Sequence, residues 1–157
     1  MSKTTQATLA LTRAGVEFTP HAYDYDSGAQ HIGMHAAAAV GMAPARVFKT
    51  LMLVVDGEPA CVVVPSDREV SMKKAARVFG GKSAEMMKPA EAEKLTGYHV
   101  GGISPFGQRK RVPVVVDSSA LRFETVVING GQRGLLLELA PGDAIKVLAA
   151  ETGDLTA

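Results

Sequence analysis

An α+β domain with a mixed, mostly antiparallel sheet is the fold class that this sequence of 157 residues predicts. Three observations predict it. Two turn signals, Asp56-Gly57 and Asn129-Gly130-Gly131, each separate two apolar runs, as hairpin turns do. Helical segments fall between the hairpins without strict strand–helix–strand alternation. Several runs, such as residues 51–55 and 60–64, are apolar on both faces, so the sheet is expected to be covered or curled into a barrel-like core with flanking helices.

Each element has its own signal. Thr4 or Thr5 can cap a first helix running to Ala14, and Gly15 suits the left-handed residue that ends it. Residues 16–23 alternate loosely and read as a strand, followed by a polar turn at 24–28. The Ala-rich stretch 30–40 reads as a helix stopping at Gly41. Residues 47–55 form a strand, Asp56-Gly57 the turn, and 60–64 the returning strand, ended by Pro65. Ser71 caps a helix through Phe79, closed by Gly80-Gly81. Pro89 fits the first turn of a short helix that ends at Gly97. Residues 101–107, GGISPFG, hold too many breakers for regular structure. Strands follow at 112–116, 123–128 and 135–139, then a closing helix at 141–149.

Composition excludes whole classes. With 46% hydrophobic and 21% charged residues the chain is not a disordered one. A single cysteine, Cys61, excludes a disulfide scaffold. The length predicts one domain, residues 1–157, with a real core. No apolar run is long enough for a bilayer span, and the N-terminus does not read as a signal peptide. The expected location is the cytoplasm, with no membrane partner. Net charge is only +1, yet residues 68–111 hold ten Lys/Arg against four Asp/Glu, and the rest seven against twelve. That asymmetry hints at a polyanionic partner, although a solvated helical face is the plainer reading of the charges alone.

Three features can carry chemistry. Lys49 lies in the run VFKTLMLV, where period two puts it on the face of Val47, Leu51 and Leu53. An ammonium there must reach water or an anion; snorkelling at a strand end is the ordinary reading. The adjacent Gly101 and Gly102 let backbone approach a ligand and present N–H groups, as in an anion nest or oxyanion hole; a plain tight turn is the alternative. Gln108-Arg109-Lys110-Arg111 follows directly and can hold phosphates, or be a solvated turn.

Other catalytic groups are rejected. Gly102-Ile103-Ser104-Pro105 departs from a nucleophile elbow, because the last glycine is displaced to Gly107 and Pro105 lacks the N–H that an oxyanion hole needs. His31 and His35 lack the glutamate and third ligand of a zinc site. His21, His99 and Cys61 read as structural. No metal and no cofactor is expected.

Taken together, Val47-Phe48-Lys49-Thr50-Leu51, Thr96-Gly97-Tyr98, the GGISPFGQ loop 101–108, the GGQRGL segment 130–135, and Glu138-Leu139 with Pro141-Gly142-Asp143 form a pattern. In order and spacing, over about residues 5–150, it resembles the YbaK/EbsC family, bacterial Cys-tRNA(Pro) deacylases of the prolyl-tRNA editing superfamily. The resemblance implies a barrel-like mixed sheet and hydrolysis of the ester joining cysteine to the terminal adenosine of tRNA(Pro). It implies catalytic roles for Lys49, Gly101 and Gly102. Around them it implies substrate contacts from Tyr23, Ile32, Thr50, Ile103, Ser104, Pro105, Asn129 and Gly130. Phosphate contacts are expected from Lys73, Lys74, Arg109, Lys110 and Arg111. The implied partners are aminoacyl-tRNA and prolyl-tRNA synthetase. The sequence departs from the family at Ile32, where an aromatic is frequent, at Asn129, often serine, and at Leu136, often an acid.

An aminoacyl ester is already activated, so position and charge supplied by the chain can suffice, with water or the substrate's own thiol attacking. The expected enzyme class is an ester hydrolase, and lyase stands beside it as a further class. Cys61→Ala and Ser104→Ala are expected to spare activity, and Lys49→Ala to lose most of it. Rival readings are a deacylase for Ala-tRNA(Pro) or another mischarged tRNA, a non-catalytic tRNA- or nucleotide-binding module, and a small-molecule-binding regulator.

Overall fold

In the computed structural model, which describes residues 4–25 and 32–157, local signals set most element ends. Helix α1 (Gln6–Arg13) starts where the Thr5 hydroxyl accepts the Thr8 N–H at 3.1 Å and the Thr8 hydroxyl accepts the Thr5 N–H at 2.8 Å. It ends with Gly15 at φ 73° and the Val16 N–H donated to Leu11 O. Strand β1 (Thr19–Ala22) and helix α2 (Ile32–Ala39) follow. Strand β2 (Val47–Val55) turns through Asp56 and Gly57, both at positive φ, into β3 (Glu58–Pro65). Ser71 caps α3 (Met72–Val78) by accepting the Lys74 N–H. The Asp56 carboxylate accepts the Lys82 and Ser83 N–H groups at 3.0 Å, which docks the segment leading into β4 (Ala84–Met86). Next come α4 (Pro89–Thr96), β5 (Val114–Asp117), β6 (Val126–Asn129), β7 (Leu135–Leu139), α5 (Pro141–Leu148) and β8 (Glu151–Gly153). Short 3-10 turns span Pro44–Arg46 and Ser118–Arg122.

The sheet runs β1-β7-β6-β2-β3-β5-β8, with β4 added to β2. Four of its ladders are antiparallel (β1/β7, β6/β7, β2/β3, β2/β4) and three parallel (β2/β6, β3/β5, β5/β8). This is the expected mixed, mostly antiparallel sheet. Among the described residues no ladder joins β1 to β8, so closure of the barrel is not part of the hydrogen-bonded path.

Both faces are covered, which explains strands that are apolar throughout. Phe48, Met52, Cys61, Val63, Ile128 and Leu137 pack beneath α1 and α5. On the other face Leu53, Val55, Val62 and Val64 pack against Ala75 of α3, while Val47, Val127 and Leu136 meet Ala36 and Ala37 of α2.

A polar cluster ties the start of β2 to β1, β6 and β7. The Glu138 carboxylate accepts from Arg46 at 2.9 Å and from the Thr125 hydroxyl at 2.6 Å, and pairs with His21 Nε2 at 2.8 Å. Hydrogen bonds from Thr125 and His21, in that order, lower its pKa to about 2.

Several boundaries differ from expectation. Strand β1 begins at Thr19 rather than Val16, because the Val16 N–H is spent closing α1. Strand β6 begins at Val126, since the preceding 3-10 turn holds the Phe123 N–H on Ala120 O. Strands β4 and β8, absent from the expected elements, carry too few residues for alternation to register.

Candidate active site

A gap in the sheet makes the site. Strand β3 covers one edge of β2 over nearly its whole length. The other edge carries β6 only at Val47 and Phe48, and β4 only at Leu53–Val55. Thr50 and Leu51 therefore have no strand beside them on that edge, and Lys49 has only the last residue of β6. Met52 offers its C=O there, to the Met87 N–H at 3.0 Å, so by alternation Thr50 turns its own N–H and C=O into the gap.

A cleft of about 480 Å³ opens at this break, in the size range of small-ligand sites. Lys49 and Gly101 both line it, as do Tyr23, Thr50, Ile103 and Asn129. Lys49 is the one cation and Glu69 the one carboxylate among the lining residues. No ion pair engages the Lys49 ammonium among the described residues. The Thr50 hydroxyl is buried without a hydrogen-bond partner, the one such side-chain atom among the described residues. A buried polar atom left unpaired within the chain is costly to the fold, and at the wall of a cleft it is open to a hydrogen bond from an occupant.

Each wall has a cause. Asn129 follows Ile128, which pairs with Phe48, so it sits beside Lys49 at the end of β6. Its amide donates to Gly101 O at 3.4 Å and its Oδ1 accepts the Gly131 N–H at 2.7 Å, joining the glycine loop to the β6–β7 turn. Tyr23 is held by its N–H on Gly134 O, and burial pushes its phenol pKa up. Gly101 has φ 91°, and a Cβ there would collide with the Tyr25 hydroxyl. The loop is locked from beneath by Tyr98, whose hydroxyl donates to Phe106 O at 2.5 Å, and by Gln108, which donates to Ser104 O at 3.0 Å.

Other expected residues lie elsewhere. Gly102 does not line the cleft. Its N–H is committed to His99 O at 2.8 Å, and a Cβ there would come within 2.7 Å of Arg133 N. Its amide is thus not placed to meet an oxyanion, which corrects that expectation. Ser104 is fully buried and its hydroxyl accepts the Phe106 N–H. Pro105 lines a separate hollow beside α1 and α5, together with Arg111. Gly130 is absent from the cleft lining; a Cβ there would press on Leu135 and Leu137. The Ile32 side chain and His31 lie outside the described residues.

None of the five expected phosphate cations lines the cleft. Lys74 is tied to Asp154 at 2.9 Å and Thr156 O at 2.7 Å, and Lys110 lines another hollow with Glu85 and Glu91. Lys73, Arg109 and Arg111 are exposed. Cys61 is buried in the core, where desolvation raises its thiol pKa to about 12, which removes it as a nucleophile at neutral pH. No group of three or more metal-ligating side chains occurs among the described residues. No helix among them is long and apolar enough to cross a membrane.

Sequence reasoning missed Tyr25, Ser66, Glu69, Met86 and Met87 in the lining. Tyr25 shares strand-like parity with Tyr23, a signal that was available. The others depend on where β3 ends and on β4.

Residues 27–147 match the family described as Aminoacyl-tRNA editing domain. The chain belongs to that family. EbsC of Enterococcus faecalis, named as a Cys-tRNA(Pro)/Cys-tRNA(Cys) deacylase, is 30% identical over 98% of this chain and 96% of its own. The proline–tRNA ligase of Acidithiobacillus ferrooxidans is 29% identical over 54% of this chain and 15% of that much longer protein. A solved structure described as a trans-editing enzyme for prolyl-tRNA synthetase superposes with a TM-score of 0.82 at 24% identity, covering 99% of both chains, which shows the shared fold. The editing-domain family takes aminoacyl-tRNA as substrate and supports a hydrolase. Deacylation is ester hydrolysis, and this overturns the lyase class carried from the sequence.

Proposed function

We propose that the chain is a trans-editing deacylase acting on mischarged Cys-tRNA(Pro) in the cytoplasm. The observation that carries the reading is the meeting of Lys49, Gly101 and an unpaired Thr50 hydroxyl in one cleft at a break in the sheet. Lys49 holds the phosphate or ribose of the terminal adenosine. The Gly101 N–H, which makes no hydrogen bond within the chain among the described residues, meets the developing oxyanion. The Thr50 hydroxyl and main-chain edge position the ester, between walls formed by Tyr23, Ile103 and Asn129. Glu69 supplies the negative charge that a substrate's α-ammonium calls for.

The lining holds no cysteine or histidine, and its Ser66 hydroxyl is engaged with Pro44 O at 2.9 Å. The attacking group in this reading comes from outside the chain: water, which cleaves the ester directly, or the cysteinyl thiol, whose attack on its own carbonyl releases the 3′-hydroxyl of the tRNA and leaves a thiolactone that water then opens to cysteine. Cysteine differs from alanine and serine by one small group, worth only ~1–3 kcal/mol in a pocket. A thiol that takes part in the reaction separates them better. Prolyl-tRNA synthetase, which makes the mischarged product, is the proposed partner, and the likeness to proline–tRNA ligases supports the link.

The test is deacylation of Cys-, Ala- and Pro-tRNA(Pro) side by side by the purified chain, with and without the synthetase. Cys-tRNA(Pro) is expected to be cleaved fastest and Pro-tRNA(Pro) spared. Preference for the alanyl ester reassigns the substrate, and tRNA binding without turnover removes the enzyme reading.

A further inference from the structure

The cations expected to meet the polyanion do not border the cleft, whereas another cation touches two residues of its wall. Arg133, in the turn between β6 and β7, stands at the rim. Its guanidinium carbon lies 5.3 Å from the centroid of the Tyr25 ring, and its Nε donates to Val100 O at 2.9 Å. Tyr25 and Val100 both line the cleft, while Arg133 itself is exposed. The cation–π contact with the Tyr25 ring and the Nε bond together hold the guanidinium at this rim. The two terminal nitrogens make no hydrogen bond or ion pair within the chain among the described residues. A fork held in place with its outer donors unspent is the geometry that grips a phosphate through two hydrogen bonds.

Its position is also keyed to the candidate reaction centre. The main chain at Arg133 packs so tightly on the glycine loop that a Cβ at Gly102 would sit 2.7 Å from Arg133 N. The turn that carries this arginine also anchors the tyrosine segment, through Tyr23 N–H on Gly134 O, and a Cβ on Gly134 would meet Tyr23 O at 2.7 Å. The main chain that carries this cation is thus packed directly on the glycine loop that holds Gly101.

We infer that Arg133, braced on Tyr25, binds a backbone phosphate of the tRNA 3′ strand as it enters the cleft, and so positions the ester against Gly101. The inference rests on the deacylase reading above. It makes Arg133 a positioning residue that acts on binding.

The test compares wild type, Arg133→Ala and Arg133→Lys on two substrates bearing the same aminoacyl ester, full tRNA and plain adenosine, which has no phosphate. On tRNA, Arg133→Ala is expected to raise KM about tenfold with kcat within about twofold, and to lower the slope of log kcat/KM against log salt by about one. Arg133→Lys keeps the charge without the fork, so it restores the salt slope but only part of KM. The loss is confined to tRNA. An unchanged KM and slope on tRNA overturns the inference, and so does an equal loss on the adenosine ester, which would place Arg133 on the base, the ribose or the fold. Failure of the wild-type chain to cleave either ester removes the deacylase reading and this inference with it; cleavage unaffected by Arg133→Ala removes the inference alone.

Discussion

Glu138 on β7 and Lys49 on β2 belong to one sheet, two strands apart, and their surroundings are opposites. Around Glu138 each charge is answered: Arg46, Thr125 and His21 all reach the carboxylate, and its pKa falls to about 2. Around Lys49 little is answered. The ammonium has no ion pair and the neighbouring Thr50 hydroxyl no partner among the described residues. Polar groups that satisfy one another hold strands together; polar groups left with capacity to bind hold a ligand. The contrast separates architecture from function where motif matching alone treats both as polar residues.

Breaking the open cluster is expected to have the largest effect. Lys49→Ala should lower kcat/KM for the mischarged tRNA by about 100-fold or more. Its unfolding temperature should stay within about 3 °C of wild type, because no partner in the chain loses a contact. An active Lys49→Ala chain would erase the functional half of the comparison.

Thr50→Val sharpens it from the other side. The substitution removes the hydroxyl while keeping nearly the same shape. Turnover should fall about tenfold, while stability to denaturant should hold or rise by ~1 kcal/mol as the unpaired buried group disappears. A drop in both would mean that the hydroxyl serves the fold.

Glu138→Gln tests the closed cluster and should leave deacylation almost untouched. Its stability at neutral pH should fall by about 1 kcal/mol, a modest figure because the cluster is partly exposed. The sign with pH follows from the depressed pKa. The stabilisation is fully present above the ordinary carboxylate value of 4.5 and is lost as pH falls toward about 2. Denaturation curves of wild type and variant should therefore draw together across that interval. A gap of constant width would show that packing, not charge, makes the difference.

How much of this was legible in the chain depends on the range of the interaction. Strand β2 was readable to both ends, because Asp56-Gly57 fixes one end and the β-branched and aromatic residues on either side of Lys49 favour an extended chain. The caps at Thr5 and Ser71 were readable for the same local reason. Lys49 stood out as a charge on an apolar face. What the chain hid was partnership at a distance. Nothing around Ala84–Met86 announces that these residues pair with Leu53–Val55, so neither the far wall of the cleft nor Met86 and Met87 could be placed. Local charge density marked Lys73, Lys74, Arg109, Lys110 and Arg111, but density carries no direction, and none of the five borders the cleft. Gly102 was read as a free amide because its bond to His99 O is a feature of the folded turn.

The interruption on β2 also sets how the opening can be changed. Its width is the stretch between the last rung of β6 and the first of β4, so a neighbour's length governs it more than the residues that line it. Extending β4 by two or three residues toward Lys49 would draw Met87 and Pro89 of the lining along β2, narrow the opening and exclude a bulky guest while leaving Lys49 and Thr50 in place. Trimming β4 back would admit a longer one. Selectivity in this architecture can thus be tuned by splicing a border strand, leaving the reactive groups as they are.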